Sequence, residues 1–501
     1  MFEGTSNALA TCHPTPFTIS DFGFCKCCNV ISLEIEKRAH NPVSFATFVV
    51  IQTTKGKETG MNRQHNGIST SGPGYRKQLL HAMVHYLPHR GLPLQTSDGR
   101  VRWSDRLLAM TAVLMVWSGA QVTLDAFGEA REVVVSMYKT RRRPGRCLSG
   151  FLTRLRRSTA RLLTVLVPAL QKATQNAAGK RWQWGQWILM AVDGSRINCP
   201  RTKSNEQAFG CAGRKKTGPQ QFLTTVFHVS TGLLWDWRGG PGNVPERTHL
   251  RAMLPNLPAH TLLLADAGFT GYDLLKALLG EGQDFLVRVG ANVTLLRKLG
   301  YFVREHDQIV YLWPQNRRRQ EPMVLRLVRV RDGRKQQCLL TSILDPKRLS
   351  DSHVAELYRL RWRVEVCFRS LKQTMGKRTM LSTSAENAKV ELDWAVVGLW
   401  LLSLMGVGQA ASVDRHRLSV AQALRAVRRW MRSPTARPPA GGLHRALRKS
   451  LVDRYARTSS KKARDWPHKK QETPPGVPKI RTATKAEVLK AKEIQCKAMA
   501  A

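Results

Sequence analysis

The feature that most limits the folds open to this chain is a change of hydrophobic period near Trp182. Before about residue 180, apolar residues recur at steps of three and four, which is typical of amphipathic helices. After it, short apolar runs bounded by turn residues alternate with helical segments. The predicted elements are strands over 187–193, 222–230, 232–240, 261–266 and 284–290 and helices over 246–254 and 272–280. This order predicts an α/β fold whose mixed sheet is flanked by helices.

Composition and turn residues divide the chain further. Residues 1–74 show no sustained period and are rich in Ser, Thr, Asn and Gly, which predicts disorder, or an extension upstream of a start at Met61. The other predicted parts are a helical region at 75–180, the α/β region at 181–405 with a β-rich insertion at 291–344, and a basic, partly helical tail at 406–501. Two apolar runs, 107–117 and 394–407, are shorter than the roughly 20 residues of a spanning helix. We therefore expect buried core helices and no membrane partner.

The net charge of the chain indicates what kind of molecule it binds. The chain has 80 Lys+Arg against 35 Asp+Glu, a formal charge of +45, and such a surplus favours a polyanion because each neutralised phosphate releases counterions. Arginine clusters at 141–143 and 154–157 suit a helical DNA-binding domain, although solvated basic faces of an ordinary bundle would look the same. The ten cysteines are scattered, which suits a reducing compartment. A nonspecific basic protein is the alternative that motifs must exclude.

Two predicted strands end on an aspartate, Asp193 in AVDGS and Asp266 in LADAGF. Ligands of open α/β sheets bind beyond the carboxyl ends of the strands, so the two side chains converge if these strands are neighbours. Two carboxylates at close range need a cation or a shared proton, and Mg²⁺ prefers such hard oxygen ligands. The competing interpretation is that each aspartate only caps the turn or helix that follows it.

A third acid, Glu365, lies within YRLRWRVEVCFRSLK at 358–372, a segment otherwise rich in cations. On a continuous helix at 100° per residue, four side chains share a sector of about 60° beside an apolar stripe that would pack on the sheet: Tyr358, Arg361, Glu365 and Lys372. Exposed pairs of Glu365 with Arg361 or Arg369 would contribute only ~0.3–0.5 kcal/mol, which explains the acid weakly. Three carboxylates holding two divalent ions instead predict an enzyme that cuts DNA or RNA strands.

The spacing Tyr358-x2-Arg361-x3-Glu365-x6-Lys372 resembles the YREK signature of the insertion-sequence-four family of DDE transposases. The aspartates in VDGS and ADAGF are similar to the first two acids of that family. The resemblance covers roughly 180–405 and is looser for the helical region before it. It implies an RNase H-like catalytic core with the β-rich segment inserted between the second aspartate and the glutamate.

The resemblance also implies cofactors and partners. Asp193, Asp266 and Glu365 would be the catalytic residues and would bind two Mg²⁺ ions, for which Mn²⁺ would substitute. The implied reaction is cut-and-paste transposition, in which water attacks at the element's ends and the freed 3′-OH then attacks target DNA. The implied partners are double-stranded DNA and, when two ends are paired, a second copy of the chain. The implied location is the bacterial cytoplasm, at the nucleoid.

Five side chains are predicted to contact DNA. By the resemblance, Tyr358, Arg361 and Lys372 would hold phosphates at the transposon end. Trp362 is similar in place to a tryptophan that positions end DNA in a relative. Trp313, in the insertion, is the candidate to stack on a flipped base, from its location alone.

Two other functions remain open at this stage. A catalytically silent DNA-binding protein derived from a transposase would be expected to have lost one of the acids, yet all three are present. A metal-dependent nuclease of the same fold would keep them all. Joining of a 3′ end to target DNA separates a transposase from such a nuclease.

Overall fold

The computed structural model describes residues 23–24, 31–32, 74–88, 90–94, 101–138, 143–211, 218–332, 335–409, 417–432, 438–452 and 476–500. The prediction of disorder for 1–74 therefore falls almost entirely outside the described residues. Within it the structure describes an antiparallel pair, β1 (Gly23–Phe24) and β2 (Ile31–Ser32), which belongs to a separate unit of Met1–Asn66. All remaining elements belong to the unit Gly67–Ala501.

Helices of this second unit fall into three groups along the chain. Those before the sheet are α1 (Gly74–Val84), α2 (Asp105–Trp117), α3 (Thr123–Met137) and α4 (Leu148–Ala178). Those among and after its central strands are α5 (Lys203–Phe209), α6 (Glu246–Met253), α7 (Tyr272–Gly280), α8 (Asp351–Leu360), α9 (Arg363–Arg369) and α10 (Ala385–Val407). Those near the end are α11 (Val420–Arg432), α12 (Gly442–Arg448) and α13 (Lys485–Ala500).

Strands of the unit form one ten-stranded mixed sheet and a small separate pair. The pair is β12 (Arg417–Leu418) with β13 (Leu451–Val452). The sheet consists of β3 (Ile188–Asn198), β4 (Gln220–His228), β5 (Leu233–Pro241), β6 (Thr261–Ala265), β7 (Asp284–Val289), β8 (Thr294–Arg297), β9 (Ile309–Leu312), β10 (Met323–Asp332), β11 (Lys335–Thr341) and β14 (Lys479–Thr482). Its order is β14-β8-β9-β10-β11-β7-β6-β3-β4-β5, so the predicted α/β class and mixed sheet are confirmed.

The centre of the sheet is the parallel trio β3, β6 and β7. The apolar runs that predict these strands are buried on both faces, as expected for parallel strands covered by helices. One boundary was predicted wrongly, because β3 does not end at Asp193 but continues to Asn198. The reason is its antiparallel partner β4, which pairs with β3 as far as Asn198↔Gln220.

Alternation along β3 gives the sheet two different faces. Ile188, Met190 and Val192 belong to the core that also contains residues of α6 and α7. Leu189 and Ala191 belong to the core that contains residues of α8. The parallel strands are therefore covered by α6 and α7 on one side and by α8 on the other.

Helices before the sheet share a core with helices near the end of the chain. Trp117 Nε1 donates to Gly398 O of α10 at 2.9 Å, and Arg428 Nε of α11 donates to Trp117 O at 2.8 Å. Trp430 Nε1 of α11 donates to Gln78 Oε1 of α1 at 3.0 Å. The predicted division at residues 180 and 405 is thus not a packing boundary, since both flanking regions complete one core around α10.

The β-rich insertion and the tail both extend the main sheet. Strands β8 to β11 continue it beyond β7, and β14 pairs in parallel with β8 at its edge, in the register Lys479↔Thr294. Helix α13 packs its Ala491 into the core of the insertion beside Tyr311. The last part of the predicted tail is therefore built into the sheet, because β8 would otherwise leave an unpaired edge.

Among the described residues, α10 is the one helix long and apolar enough, by length and composition, to cross a membrane. In the structure 89% of its most apolar window is buried. Trp394 and Trp400 on α10 donate from their indole nitrogens to Thr159 and Thr174 of α4, at 3.0 and 2.9 Å. The helix lies at the centre of the protein's own core, as the sequence predicts for 394–407.

Candidate active site

Two aspartates lie at the same level on neighbouring parallel strands. Ala191 of β3 pairs with Leu264 of β6. Asp193 and Asp266 each stand two residues beyond this pair, Asp193 within β3 and Asp266 directly after β6. The carboxylates therefore meet at the carboxyl edge of the parallel strands, as predicted.

In each aspartate, one carboxylate oxygen accepts a backbone hydrogen bond and the other faces a cation. Asp193 Oδ1 accepts a hydrogen bond from Gly194 N at 2.8 Å, and Asp266 Oδ1 accepts one from Ala267 N at 2.7 Å. Asp266 thereby caps the short 3₁₀ turn that follows β6. The Oδ2 atoms face the guanidinium of Arg361, whose Nη1 and Nη2 lie 3.9 Å from Asp193 Oδ2 and 3.8 Å from Asp266 Oδ2. Capping and cation binding are thus both present in the same side chains.

Arg361 is a nearly buried cation, with 4% of the residue exposed. Its guanidinium carbon lies 5.6 Å from the ring centroids of both Tyr358 and Trp362. Burial works against its charge, but Tyr358, the two aspartates and Glu365 outweigh burial and raise the pKa of Arg361. Arg361 therefore lies as a fixed positive charge between the two aspartates rather than on an open surface.

Burial and neighbouring charges shift the pKa values of the groups that face Arg361. Burial raises the pKa of Asp193, and the charge of Asp266 raises it further, against the opposing effects of Gly194 N–H and Arg361. Burial also raises the pKa of Tyr358, which is therefore a neutral phenol near neutral pH. The Tyr358 hydroxyl makes no hydrogen bond of normal geometry within the described part of the chain.

Glu365 lies one turn beyond Arg361, but not on one continuous helix with it. Helix α8 ends at Leu360, α9 begins at Arg363, and the junction is a tight turn in which Glu365 N donates to Trp362 O at 3.2 Å. The predicted single row of four side chains is therefore corrected, because the tighter turn breaks the 100° spacing. Glu365 belongs to the first turn of α9, and its negative charge helps to raise the pKa of Arg361.

Lys372 lies on a π-helical turn, Ser370–Thr374, that follows α9. Its Nζ donates to Ser195 Oγ at 2.7 Å, and Ser195 stands two residues beyond Asp193 on the same face of β3. Burial lowers the pKa of Lys372, and Arg378 lowers it further. The segment from Arg361 to Lys372 therefore lies over the face of β3 that carries the Asp193 side chain.

The two predicted tryptophans differ in their surroundings. Trp362 is 56% exposed beside Arg361. Trp313 is only 2% exposed; its Nε1 donates to Gln320 O at 2.8 Å, and Arg318 lies 4.3 Å over its ring. The structure therefore does not support Trp313 as a base-stacking residue, because its ring is part of the insertion's core.

One acid beside the aspartates was not predicted. Burial raises the pKa of Glu246 to about 7, and the charges of Asp193 and Asp266 add to that effect, while Arg196 and Arg247 oppose it. Glu246 is the first residue of α6, after Pro245. An acid in the first turn of a helix is so common that the sequence held no signal to single it out.

The donor chemistry of the site suits a hard divalent cation. Across the described ranges, no group of three or more His, Cys, Asp or Glu side chains is arranged to hold a metal ion. The two Oδ2 atoms nevertheless lie 3.9 and 3.8 Å from the Arg361 guanidinium, and neither accepts a backbone hydrogen bond from a described residue. Mg²⁺ often binds through only one or two carboxylates, so the aspartate pair fits such an ion.

Comparison with known proteins shows what the segment around this site is similar to. Residues 186–401, which contain Asp193, Asp266 and Glu365, match the model of the family described as the transposase DDE domain. Over 228 residues the chain is 29% identical to the transposase InsG for insertion sequence element IS4 of Escherichia coli (strain K12). Residues 186–401 are therefore similar to DDE transposase domains. The match covers 43% of this chain and spans about half, 51%, of the relative's length.

Solved transposase structures also show similarity to this chain. The piggyBac transposase synaptic complex with hairpin DNA covers 78% of this chain and 88% of its own, at 10% identity and a TM-score of 0.37. The Mos1 transposase paired-end complex with the left transposon end covers 38% and 60%, at 14% identity and a TM-score of 0.15. Neither similarity is close enough to transfer the role of an individual residue.

Proposed function

We propose that this chain cuts double-stranded DNA at the ends of a mobile element and joins the freed ends to target DNA. The observation that carries the proposal is the pairing of Asp193 and Asp266 at one level of neighbouring strands, with Arg361 between their Oδ2 atoms. The segment that matches the transposase DDE domain contains all three residues. The net charge of +45 supports a DNA partner.

The fold of the catalytic part is, in this proposal, RNase H-like. Its five strands would be β5-β4-β3-β6-β7, in which β4 is antiparallel to both neighbours and β3, β6 and β7 are parallel. Helices cover both faces of these strands. Strands β8 to β11 would be the insertion that separates Asp266 from Glu365.

Asp193, Asp266 and Glu365 would hold two divalent ions, Mg²⁺ or in its place Mn²⁺. Bound ions of this kind activate the attacking oxygen and stabilise the leaving oxygen of a phosphodiester. The chain's own cations would orient the DNA: Arg361 by paired hydrogen bonds to a phosphate and Lys372 as a point charge. The Tyr358 hydroxyl, which has no well-formed hydrogen bond in the described residues, would donate to a phosphate oxygen.

Trp362 would contact the end DNA from its exposed position beside Arg361. Two copies of the chain would act together when two ends are paired, because each cut end needs its own set of three acids. We place this activity at the nucleoid in the bacterial cytoplasm.

The decisive experiment removes the acids one at a time. We expect Asp193→Asn, Asp266→Asn and Glu365→Gln to abolish Mg²⁺-dependent cleavage of duplexes taken from the DNA that flanks the gene. DNA affinity should stay within about threefold of the wild type, because each substitution keeps the side chain's shape. Glu281→Gln, at an exposed position on the other edge of the parallel strands, is the matched control and should cleave normally.

Different outcomes lead to different conclusions. Cleavage at the wild-type rate by any one acid variant would exclude that acid from the reaction. Wild-type protein that binds but never cuts would be a silent DNA-binding protein. Cutting without transfer of a labelled 3′ end to a target plasmid would make the protein a nuclease.

A further inference from the structure

A cleft of about 340 Å³ lies between α6, the start of α7 and the β-rich insertion. Three arginines line it, Arg247 and Arg251 of α6 and Arg317 of the insertion. Among the described residues, one acid lines it as well, Asp273 of α7. Arg247 and Arg251 are exposed and stand four residues apart, so they lie on the same face of α6. The cleft therefore carries more positive than negative charge.

Backbone groups fix the two arginines of α6. Arg247 Nε donates to Gly268 O at 2.7 Å, and Arg251 Nη2 donates to Asp273 O at 3.0 Å. A Cβ atom at Gly271 would be 2.9 Å from Arg247 Nη1, so glycine leaves the space in which this guanidinium lies. Because both acceptors are neutral carbonyl oxygens, these hydrogen bonds hold the side chains without cancelling either positive charge.

Asp273 compensates only part of the charge in the cleft. Arg317 Nε and Nη2 donate to its two carboxylate oxygens, at 2.8 and 2.6 Å. These hydrogen bonds and the charges of Arg317, Arg251 and Lys276 together lower the pKa of Asp273. A cleft lined by a surplus of one charge concentrates counterions of the opposite sign. The surplus here favours an anion.

The cleft lies next to the aspartate pair, on the opposite side of the sheet from the other cations of the site. Gly268, which accepts the Arg247 hydrogen bond, is the second residue after Asp266. Helices α6 and α7 cover one face of β3, and the segment 361–372 lies over the other face, which carries the Asp193 side chain. Cations therefore flank the two aspartates on both sides of the sheet.

The ordinary explanation is that these arginines only tie α6 to its neighbours. A hydrogen bond to a carbonyl oxygen requires no positive charge, so that explanation leaves two guanidinium charges in one cleft without a reason. Arginine binds phosphate by paired, charge-assisted hydrogen bonds. Phosphate contacts carry no base sequence, which suits DNA outside a mobile element, since its sequence is not that of the element.

We propose that Arg247 and Arg251 bind the phosphate backbone of the DNA that continues beyond the cut at an element's end. The segment 361–372 would hold the end itself, on the other side of the aspartates. This inference rests on the proposed function, because it assigns a further part of the same DNA to a second surface of the site. Arg317, held by Asp273, forms the opposite wall of the cleft.

The test compares the affinity of the protein for two duplexes, by fluorescence anisotropy in EDTA so that no metal-dependent cutting occurs. One duplex stops where the wild type cuts, and the other continues into the flanking DNA. The wild type should bind the longer duplex more tightly. In Arg247→Gln/Arg251→Gln we expect about tenfold weaker binding of the longer duplex and a salt dependence, log affinity against log salt, less steep by about 2. Affinity for the shorter duplex should stay within about threefold of the wild type.

Three further variants separate a phosphate contact from a structural tie. Arg247→Lys/Arg251→Lys keeps both charges but not the guanidinium hydrogen bonds, and should retain the salt dependence of the wild type. Asp273→Asn removes a negative charge from the cleft and should tighten binding of the longer duplex, which a damaged fold would not do. Arg304→Gln, at an exposed position elsewhere in the insertion, is the matched control and should bind both duplexes normally.

The outcomes separate this inference from the proposed function. If the wild type cuts but binds both duplexes equally, or if Arg247→Gln/Arg251→Gln keeps its preference for the longer one, only the inference is overturned. The same holds if the lysine substitutions lose as much as the glutamine substitutions, or if both duplexes lose affinity alike. A wild-type protein that cuts neither strand anywhere would overturn the proposed function and this inference with it.

Discussion

Asp393 is, at the residue scale, an acid whose surroundings disfavour its charged form. It lies on α10, where its Oδ1 accepts a hydrogen bond from Trp237 Nε1 at 2.9 Å. Burial raises the pKa of Asp393 to about 6, against the opposing effects of Trp237 and Arg238. The fold therefore favours the protonated form of this carboxyl, and ionisation at neutral pH costs stability.

Replacement of Asp393 by asparagine should make the protein more stable at pH 8. The pKa is higher in the folded than in the unfolded state, so the stability due to this group is fully present below about pH 4 and is lost as pH rises through 6. Asparagine keeps the acceptor for Trp237 without the charge. We expect urea unfolding to show a gain on the order of 1–2 kcal/mol at pH 8 and a smaller one at pH 4.5.

Asp307→Asn is the control for this prediction, because Asp307 is exposed in the insertion. It should change the free energy of unfolding by less than about 0.5 kcal/mol at either pH. An equal effect of Asp393→Asn at both pH values would show that its carboxyl is not protonated preferentially in the fold.

The sequence identified some site residues and could not identify others. Asp193 and Asp266 were predictable because an apolar run followed by an acid and a glycine marks a strand end in an α/β fold. The role of Arg361 between them was not, since the helix period placed it in a row with Glu365 rather than against the sheet. Glu246 was not predictable either, because only the fold brings the start of α6 to Gly194 and Gly268.

At the scale of elements, the break between α8 and α9 decides which side chains reach the sheet. It allows Arg361 to be almost fully buried while the next residue, Trp362, is largely exposed. Periodicity predicted helical structure before residue 180, and the apolar run 107–117 lies within α2, Asp105–Trp117, because its pattern is uninterrupted. It missed the break, since the apolar stripe continues through Leu357, Val364 and Phe368 on both sides of it.

Trp362→Ala tests the exposed side of this junction. Because the ring is largely exposed, we expect the unfolding temperature to change by less than about 2 °C. Affinity for duplexes from the flanking DNA that carry a single-stranded overhang should fall about tenfold or more, since stacking of an unpaired base on one aromatic ring contributes ~1–3 kcal/mol. Fluorescence anisotropy with labelled duplexes measures this change.

The matched control is Val303→Ala, which shortens an apolar side chain that is 97% exposed in the insertion. It should leave both the unfolding temperature and the DNA affinity unchanged. Wild-type affinity in Trp362→Ala would remove this tryptophan from the DNA-binding surface.

At the scale of the whole molecule, the end of the chain completes the sheet. β14 covers the edge of β8, and Glu487 of α13 forms ion pairs with Arg318 and Arg481, each at 2.6 Å. The sequence predicted a partly helical tail at 406–501 but not this packing, because a change of composition marks a change of local structure and not a boundary of the core. The same reason explains why the helices before residue 180 looked like a separate domain.

Truncation after residue 475 should expose the edge of β8 and the core around Trp313. We expect a lower unfolding temperature and association into larger species, because an unpaired strand edge pairs readily with another chain. Size-exclusion chromatography with light scattering detects both the loss of monomer and its concentration dependence.

A second truncation, after residue 483, retains β14 and removes only α13. It should keep the edge covered and therefore associate less than the shorter chain. Equal association of the two truncated proteins would show that α13, and not β14, protects the sheet.

The bonding of the first helices to the last ones has a consequence for synthesis on the ribosome. Gln78 and Trp117 are 352 and 311 residues away from Trp430 and Arg428, the partners that complete their surroundings. At about 5–20 residues per second, the growing chain carries the apolar faces of α1 and α2 uncovered for roughly 20–70 s. Nascent polypeptides of this protein should therefore engage chaperones until α11 has been synthesised and the core can close.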